Sequence, residues 1–536
     1  MAELVVLGDE AVALGAIHAG VTASYAYPGT PSTEILEYLR AHQDRFGGPL
    51  AAWTANEKTA MEAALGVSFA GRRALVAMKH VGLNVAADPF INGALVEVHG
   101  GLVVAVADDP GMHSSQNEQD SRFYADFARV ICLEPASAQE AYEMTREAFD
   151  LSERFHVPVV VRLVTRLAHS RGVIHAGAPR DENPLAKARK PASWILLPAN
   201  ARRQYRALIE RQSALRAYTA SSRHNVLALD DKEIGVITCG LGRNYYLENL
   251  PDLGTVPSHL HIGAYPMPVH AMRLLAGHVK RIVVIEDGQP FVERALRGVI
   301  PPSVEIRGRE SGHLPPDGEL TPDLVRKAFG LEPRAGVSLE GLDLPSRPPQ
   351  LCQGCPHGDM FTALKLALAG YEESVVTSDI GCYTLGALAP YAAIETCVCM
   401  GASIGMARGA ADAGLHPVVA VIGDSTFVHS GLTPLIDAVQ ADANMTLLIL
   451  DNEVVAMTGG QPSAIPSSRI EPLLQGLGVP REHLHVVNAH PRHTEENAAL
   501  LHRELEHRGL SVVVGVRECL ETIKTKKAKK PETVTT

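Results

Sequence analysis

The sequence predicts an α/β protein of three modules, each a mainly parallel sheet flanked by helices. Three observations point there. Short apolar runs of strand length alternate with helix-length stretches along the chain, the pattern of parallel sheets joined by crossover helices. The length of 536 residues is too great for one core and matches roughly three or four domains of about 100–200 residues. Two polar, proline-bearing segments, 175–192 and 332–350, divide the chain into blocks.

The opening "MAELVVLGDEAVALGAIHAG" reads as a strand followed by a helix. Strands "ALVAM" (74–78), "GLVVAVADD" (101–109) and "VPVVVRLVT" (157–165) follow, alternating with helical stretches such as 56–70. After the segment 175–192 comes a helix over 199–220. The second block begins at "EIGVITCGLG" (233–242), a strand meeting a glycine turn. It continues through "RIVVIEDGQPFVERALRG" (281–298) and fades near 330. The third block, about 351–520, holds a C-x-x-C pair and the strands "ESVVTSDIG", "PVVAVIGD", "MTLLILDN" and "LSVVVGV".

Hydrophobic residues make up 46% and charged residues 20%, an ordinary globular balance. The formal net charge of −11 gives no reason to expect a nucleic-acid partner. No window approaches 18 uninterrupted apolar residues, so no membrane span is expected. The acidic start is not a secretory signal. Eight cysteines without an export signal read as reduced thiols or metal ligands, which places the chain in the cytoplasm. The basic run "KTKKAKK" (Lys524 to Lys530) reads as a solvated, disordered tail.

The strongest chemical signal lies in "VVAVIGDSTFVHSG" (418–431) and "TLLILDNEVVAMTGGQ" (446–461). Each is an apolar strand ending in oxygen-bearing side chains: Gly423-Asp424-Ser425 in the first, Asp451-Asn452 in the second. The 28 positions between Asp424 and Asn452 (452 minus 424) allow one strand–helix–strand crossover. Both residues then sit at the carboxyl ends of parallel strands, where such sheets bind ligands. A carboxylate, an amide oxygen and a backbone carbonyl beside a diphosphate suit Mg²⁺. The helix after Gly423 turns free N–H groups toward the same anion. The plainer reading, that G-D-S and D-N merely end strands, is weakened by the paired spacing.

These motifs, with "SDIGCYTLGALAP", "CMGASIGMARG", "YAYPGTPSTEI", "ANEKTAMEAALGVSFAG", "MKHVGLNVAADPF" and "VVIEDGQPFVERAL", resemble the α subunits of indolepyruvate ferredoxin oxidoreductases, within the 2-oxoacid:ferredoxin oxidoreductase superfamily. The resemblance spans nearly the whole chain. It implies three thiamine-diphosphate-enzyme modules: a pyrimidine-binding domain at 1–190, a transketolase-C-like domain at 225–335 and a diphosphate-binding domain at 350–522, then a tail at 523–536. It implies that Asp424, Asn452 and the Val454 carbonyl ligate Mg²⁺, and that Gly381, Gly401, Gly423 and Ser425 belong to the segments wrapping thiamine diphosphate. Glu57 matches the glutamate that hydrogen-bonds the pyrimidine ring. Pro28 and Thr30 lie in the family's substrate-side loop, and His80 and His429 are candidates to line the site. A lone histidine is as readily structural. The activity implied is oxidative decarboxylation of an aryl or branched 2-oxo acid to an acyl-CoA, with coenzyme A as co-substrate. Electrons pass to ferredoxin or another acceptor, with a smaller β subunit as partner and two copies of this chain in the assembly. The rival readings are a non-oxidative thiamine-dependent decarboxylase or carboligase, and a silent assembly subunit.

The family's α subunits continue into a ferredoxin-like domain with C-x₂-C-x₂-C-x₃-C runs, and none occurs in this sequence. That departure favours the non-oxidative rival. The remaining cysteines argue the other way. Cys352 and Cys355 are followed by Cys382 in "DIGCYT" and Cys519 in "VRECLE", places that match the superfamily's cluster nearest thiamine. Four such thiolates can hold one [4Fe–4S] cluster. Zinc, a redox pair and unligated thiols remain open. Cys397 and Cys399 are expected to alternate on a strand, and with Cys132 and Cys239 to serve packing.

Overall fold

The computed structural model describes residues 2–336, 341, 343 and 349–528. Part of the 332–350 segment and the last residues of the basic tail, 529–536, lie outside the described residues. The chain forms two compact units, residues 1–338 and 339–536.

The first unit holds two principal sheets. One has seven strands, ordered Ala264–Tyr265, Ile131–Leu133, Val159–Val164, Leu102–Asp108, Ala74–Lys79, Ala23–Ala26 and Leu50–Trp53. All pairs are parallel except the first. Its central strand, Leu102–Asp108, is buried at every position, the expected state of a valine-rich strand covered by helices on both faces. The second sheet has five strands, ordered Glu305–Arg307, Arg281–Ile285, Ile234–Cys239, Ser258–Ile262 and Asn225–Ala228, parallel except for the last. The second unit holds one all-parallel sheet of five: Val375–Thr377, Val418–Gly423, Met445–Asp451, Leu510–Val516 and Leu484–Asn488. The α/β class with parallel-rich sheets flanked by helices is therefore as the sequence predicts.

Three details differ from the sequence reading. The N-terminal strand Ala2–Leu7 joins none of the large sheets; it pairs antiparallel with Arg171–Ala176, so its apolar run serves a separate ribbon. The strand Ala264–Tyr265, from the second sequence block, completes the edge of the first sheet against Ile131–Leu133. A helix, Leu520–Ala528, runs into the segment expected as a disordered tail, with Glu521 meeting Lys524 at i, i+3 and Glu518 meeting Lys526.

A buried ionic network joins the two sheets of the first unit. Arg162, fully buried, donates to Asp108 at 2.6 Å and Glu134 at 2.5 Å. Arg122, equally buried, pairs with Asp120 and with Glu286 at 2.8 Å, and donates to the carbonyls of Asp287 and Gln289. Tyr265 donates its hydroxyl to Glu134 at 2.7 Å. Burial acts to raise the Asp120 carboxyl, yet Arg122 and Arg162 hold it below the usual carboxylate range.

Removing one member of a buried pair leaves the other charge uncompensated, at a cost of about 3–5 kcal/mol. Arg162→Met is therefore expected to lower unfolding free energy by about that amount in urea titrations. A loss below roughly 1 kcal/mol would place Arg162 with exposed pairs, whose worth is that small.

Candidate functional site

In the second unit four of the residues the sequence singles out follow the carboxyl ends of strands. Cys382 follows Val375–Thr377, Asp424 follows Val418–Gly423, Asn452 follows Met445–Asp451, and Cys519 follows Leu510–Val516. These four strands are neighbours in one parallel sheet, so the sheet alone gathers the four segments at one edge.

Asp424 opens a helical run that continues through a π-turn, Phe427–Gly431, into Leu432–Gln440. Its N-terminus is an anion-binding end. Asp424 is buried, and burial with the neighbouring Asp451 carboxylate pushes its carboxyl up to about 7. Asp451 is also raised by burial, and its Oδ2 has no hydrogen-bond partner. Asn452 is buried and accepts the Val454 N–H on Oδ1 at 3.2 Å. Val454 begins a short hairpin with Gln461–Pro462. Ser425 donates to Asp424 at 3.4 Å. Two carboxylates and an amide, all hard oxygen donors, fit Mg²⁺. The raised carboxyls fit it too, because a cation offsets the repulsion that burial concentrates.

The glycines leave room for this edge. A Cβ on Gly381 would lie 2.3 Å from the Tyr383 ring, and one on Gly423 would lie 2.6 Å from the same ring. Tyr383 donates to Asp379, which also accepts the Ser403 hydroxyl at 2.6 Å and is pushed by burial to about 6. Gly401 adopts φ +84°, and a Cβ there would strike Ser430 in the π-turn at 2.6 Å. His429 is buried in that turn with Nδ1 2.6 Å from the Ser430 hydroxyl.

Cys352, Cys355, Cys382 and Cys519 line one cavity of about 100 Å³, which Asn452 also lines. Cys355 sits at the N-terminus of helix Pro356–Ala367, where burial raises its thiol against the opposing pull of the His357 and Gly358 N–H groups. The Cys519 N–H donates to the Asn452 carbonyl at 3.3 Å. Burial, then the other three thiols, push Cys382 up to about 12. Four tetrahedral zinc ligands at about 2.3 Å would bring sulfurs to within about 4 Å of each other. Among the described residues the only set of three metal-ligating side chains with all ligand atoms within 4.8 Å contains no cysteine. Cys132 and Cys239 are buried, as expected for packing. Cys397 and Cys399 depart from expectation: both are exposed, and their segment is irregular chain that leads into the turn at Gly401 and forms no strand.

In the first unit, Glu57 begins helix Glu57–Phe69, whose N-cap Asn56 accepts the Thr59 N–H at 2.9 Å. The Glu57 side chain is buried against Gly82, where a Cβ would lie 2.5 Å from Oε1. Pro28 is buried and Thr30 half-buried in the loop after Ala23–Ala26. That loop is fixed by Ser32 donating to the Gly29 carbonyl at 2.8 Å and Ser114 donating to the Thr30 carbonyl at 3.1 Å. His80 is buried, with Nε2 3.1 Å from the Asn117 carbonyl. A carbonyl only accepts, so the proton belongs on Nε2 and leaves Nδ1 as an acceptor without a partner.

Lys79, Asp109 and Asp379 were not singled out by the sequence. Lys79 lies against Gly29 and donates to the Ser114 carbonyl at 3.0 Å. Burial lowers its pKa to about 8, against the opposing pull of Asp109 and Glu57. The only sequence signal was its place beside His80.

Two family models match the chain. "Pyruvate flavodoxin/ferredoxin oxidoreductase, thiamine diP-bdg" covers residues 14–220. "Thiamine pyrophosphate enzyme, C-terminal TPP binding domain" covers residues 379–514. The chain is 39% identical to indolepyruvate oxidoreductase subunit IorA of Archaeoglobus fulgidus, over 96% of this chain and 86% of that protein. It is 38% identical to the protein of the same description in Methanothermobacter thermautotrophicus, over 97% of this chain and 87% of that one. A solved 2-oxoglutarate:ferredoxin oxidoreductase from Magnetococcus marinus, with 2-oxoglutarate, coenzyme A and succinyl-CoA bound, is similar in fold at TM-score 0.50. It is 20% identical, covering 61% of this chain and 65% of that one.

Asp424 gives a pH signature. Its folded pKa of about 7 lies above the ordinary 3.8, so between these values the folded state binds more protons than the unfolded one. Stability of the metal-free protein is then full below pH 3.8 as far as this group is concerned, and is lost as pH rises through 7. Denaturant midpoints measured from pH 5 to 8 should fall with pH in the wild type and fall less in Asp424→Asn. Parallel slopes in the two proteins would remove Asp424 as the source.

Proposed function

The chain belongs to the family of indolepyruvate oxidoreductase subunit IorA, and from that membership we propose that it is the α subunit of an enzyme oxidatively decarboxylating an aryl or branched 2-oxo acid. The observation that carries the oxidative reading is the convergence of Cys352, Cys355, Cys382 and Cys519 on one cavity beside Asn452. In this reading the four thiolates hold a [4Fe–4S] cluster, the exit for electrons. The overall change balances as one 2-oxo acid and one coenzyme A thiol giving an acyl thioester, CO₂, a proton and two electrons. The electrons go to ferredoxin or a partner subunit. A smaller β subunit and a second copy of this chain complete the assembly, and the compartment is the cytoplasm. The domain division at 1–190, 225–335 and 350–522 is part of the same proposal.

Thiamine diphosphate, when bound, supplies the carbanion chemistry, and the protein supplies orientation and electrostatics. Asp424, Asn452 and the Val454 carbonyl hold Mg²⁺ against the diphosphate. Gly381, Gly401 and Gly423 let the backbone approach, and Ser425 adds an N–H at the helix start. Glu57 holds a proton at the cofactor's pyrimidine nitrogen. Its position in the first turn of a helix, packed on Gly82, supports a fixed carboxylate in that role. Thr30, in the loop that Pro28 enters, with His80 and His429, orients the substrate. The partnerless Nδ1 of His80 supports a hydrogen-bond acceptor there.

Anaerobic purification with iron analysis and electron paramagnetic resonance tests the proposal, alongside CO₂ release from indolepyruvate. About four irons per chain are expected, with release that requires coenzyme A and an electron acceptor. Cys382→Ser should lose the iron and keep thiamine diphosphate. Iron-free protein that releases CO₂ without an acceptor would instead establish a non-oxidative decarboxylase. Asp424→Ala should weaken Mg²⁺-dependent thiamine diphosphate binding by more than the roughly 10–100-fold typical of an outer-shell loss. Unchanged binding by titration calorimetry would refute the ligand assignment.

A further inference from the structure

Asp9, Glu34 and His169 converge in the first unit, each with one ligand atom within 4.8 Å of the other two. They come from three distant segments. Asp9 is the second residue of helix Gly8–His18, and Glu34 is the second of helix Thr33–Phe46. His169 ends the short helix Thr165–Ala168 that follows strand Val159–Val164. The Gly8 N–H donates to the Ser170 carbonyl at 3.2 Å, which draws the first helix onto the His169 turn.

Asp9 is 0% exposed, and neither of its carboxylate oxygens has a hydrogen-bond partner. A buried carboxylate in that state is costly unless a positive charge accompanies it. Burial is the largest influence raising Asp9, and the acids Glu34 and Glu10 add to it. Glu10 is occupied by the Leu7 N–H at 2.8 Å. Glu34 lies 3.5 Å from the His169 Nε2, and both side chains are 35% exposed. The cluster therefore has a sealed end at Asp9 and an open end at Glu34 and His169.

We infer that Asp9, Glu34 and His169 form a binding site for a divalent transition-metal ion of the zinc class. One imidazole nitrogen and two carboxylate oxygens are a three-ligand set that leaves a fourth position for water. Both acids stand in the first turns of helices, whose N-terminal dipoles favour anionic side chains and so keep them as ligands. The ion would tie the starts of two helices to the end of a central strand. Glu34 stands four residues after Thr30, so the same ion fixes the base of the Pro28–Thr30 loop. The site is separate from Asp424 and from the four cysteines, and it stands whether or not the proposed reaction is right.

The test uses the full chain, anaerobic and chelator-treated, titrated with Co²⁺ as a spectroscopic substitute for Zn²⁺. Thiolate ligands give sulfur-to-metal charge-transfer bands, whereas an oxygen–nitrogen site gives only visible d–d bands. One Co²⁺ per chain with d–d bands alone is expected. Zn²⁺ should displace it, and Asp9→Asn and His169→Ala should abolish it, while Asp424→Ala retains it. Thermal midpoints should rise with added Zn²⁺ in the wild type and not in either variant. His169→Ala, at a partly exposed position, carries the test if Asp9→Asn does not fold. Undiminished d–d bands in both variants would overturn the site. So would their absence in the wild type, together with a higher metal-independent midpoint in Asp9→Asn; that pair of results identifies Asp9 as a buried protonated carboxyl.

Discussion

A carboxylate or thiolate removed from water needs positive charge or several hydrogen bonds nearby, and this chain meets that need in two ways. Around Arg122 and Arg162 it meets it internally. Two guanidinium groups face Asp108, Asp120, Glu134 and Glu286. The excess negative charge is taken up by donors: the Val292 and Glu293 N–H groups on Glu286, and Ser121 on Asp108. The result is a satisfied polar core. Such a core acts as a register between the seven-stranded and five-stranded sheets of the first unit.

Elsewhere the acids are gathered with no guanidinium among them. Asp424 beside Asp451, four thiols around one cavity, and Asp9 beside Glu34 each concentrate groups whose charged forms repel. Burial raises Asp424, Asp451, Cys355, Cys382 and Asp9, and neighbouring acids or thiols add to the rise at each. The donor types differ in a way that sorts their partners: oxygens alone at Asp424, sulfurs alone at the cavity, and oxygen with nitrogen at Asp9. Donor sets that differ in this way discriminate hard, thiophilic and borderline cations. The parallel sheets make this gathering possible, because every strand delivers its following loop to the same edge.

Much of this was legible in the sequence where chemistry follows directly on a strand. "VVAVIGD" and "LLILDN" announce both the buried strand and the oxygen donors at its end, and Cys382 and Cys519 likewise follow apolar runs. Glu57 was legible only through the motif around it, since one helix glutamate is unremarkable by pattern. The illegible parts depend on tertiary placement. Asp9, Glu34 and His169 stand in three separate segments, each with an ordinary local role, and only helix packing joins them. Lys79 looks like any lysine at a strand end until burial under Gly29 lowers its pKa. The two-residue strand Ala264–Tyr265 is too short to carry a period. Cys397 and Cys399 have the alternation of a strand, yet their exposed segment pairs with no sheet.

The short strand has a consequence for dissection of the molecule. Ala264–Tyr265 covers the edge strand Ile131–Leu133, and Tyr265 reaches back into the ionic core through Glu134. A fragment cut after the first sequence block would lose both. It would present an open row of backbone donors and acceptors, the kind of edge through which proteins pair with one another. The first compact unit, residues 1–338, keeps that edge covered. A gene fusion or truncation that respects only the sequence linker at 175–192 divides a folding unit in two.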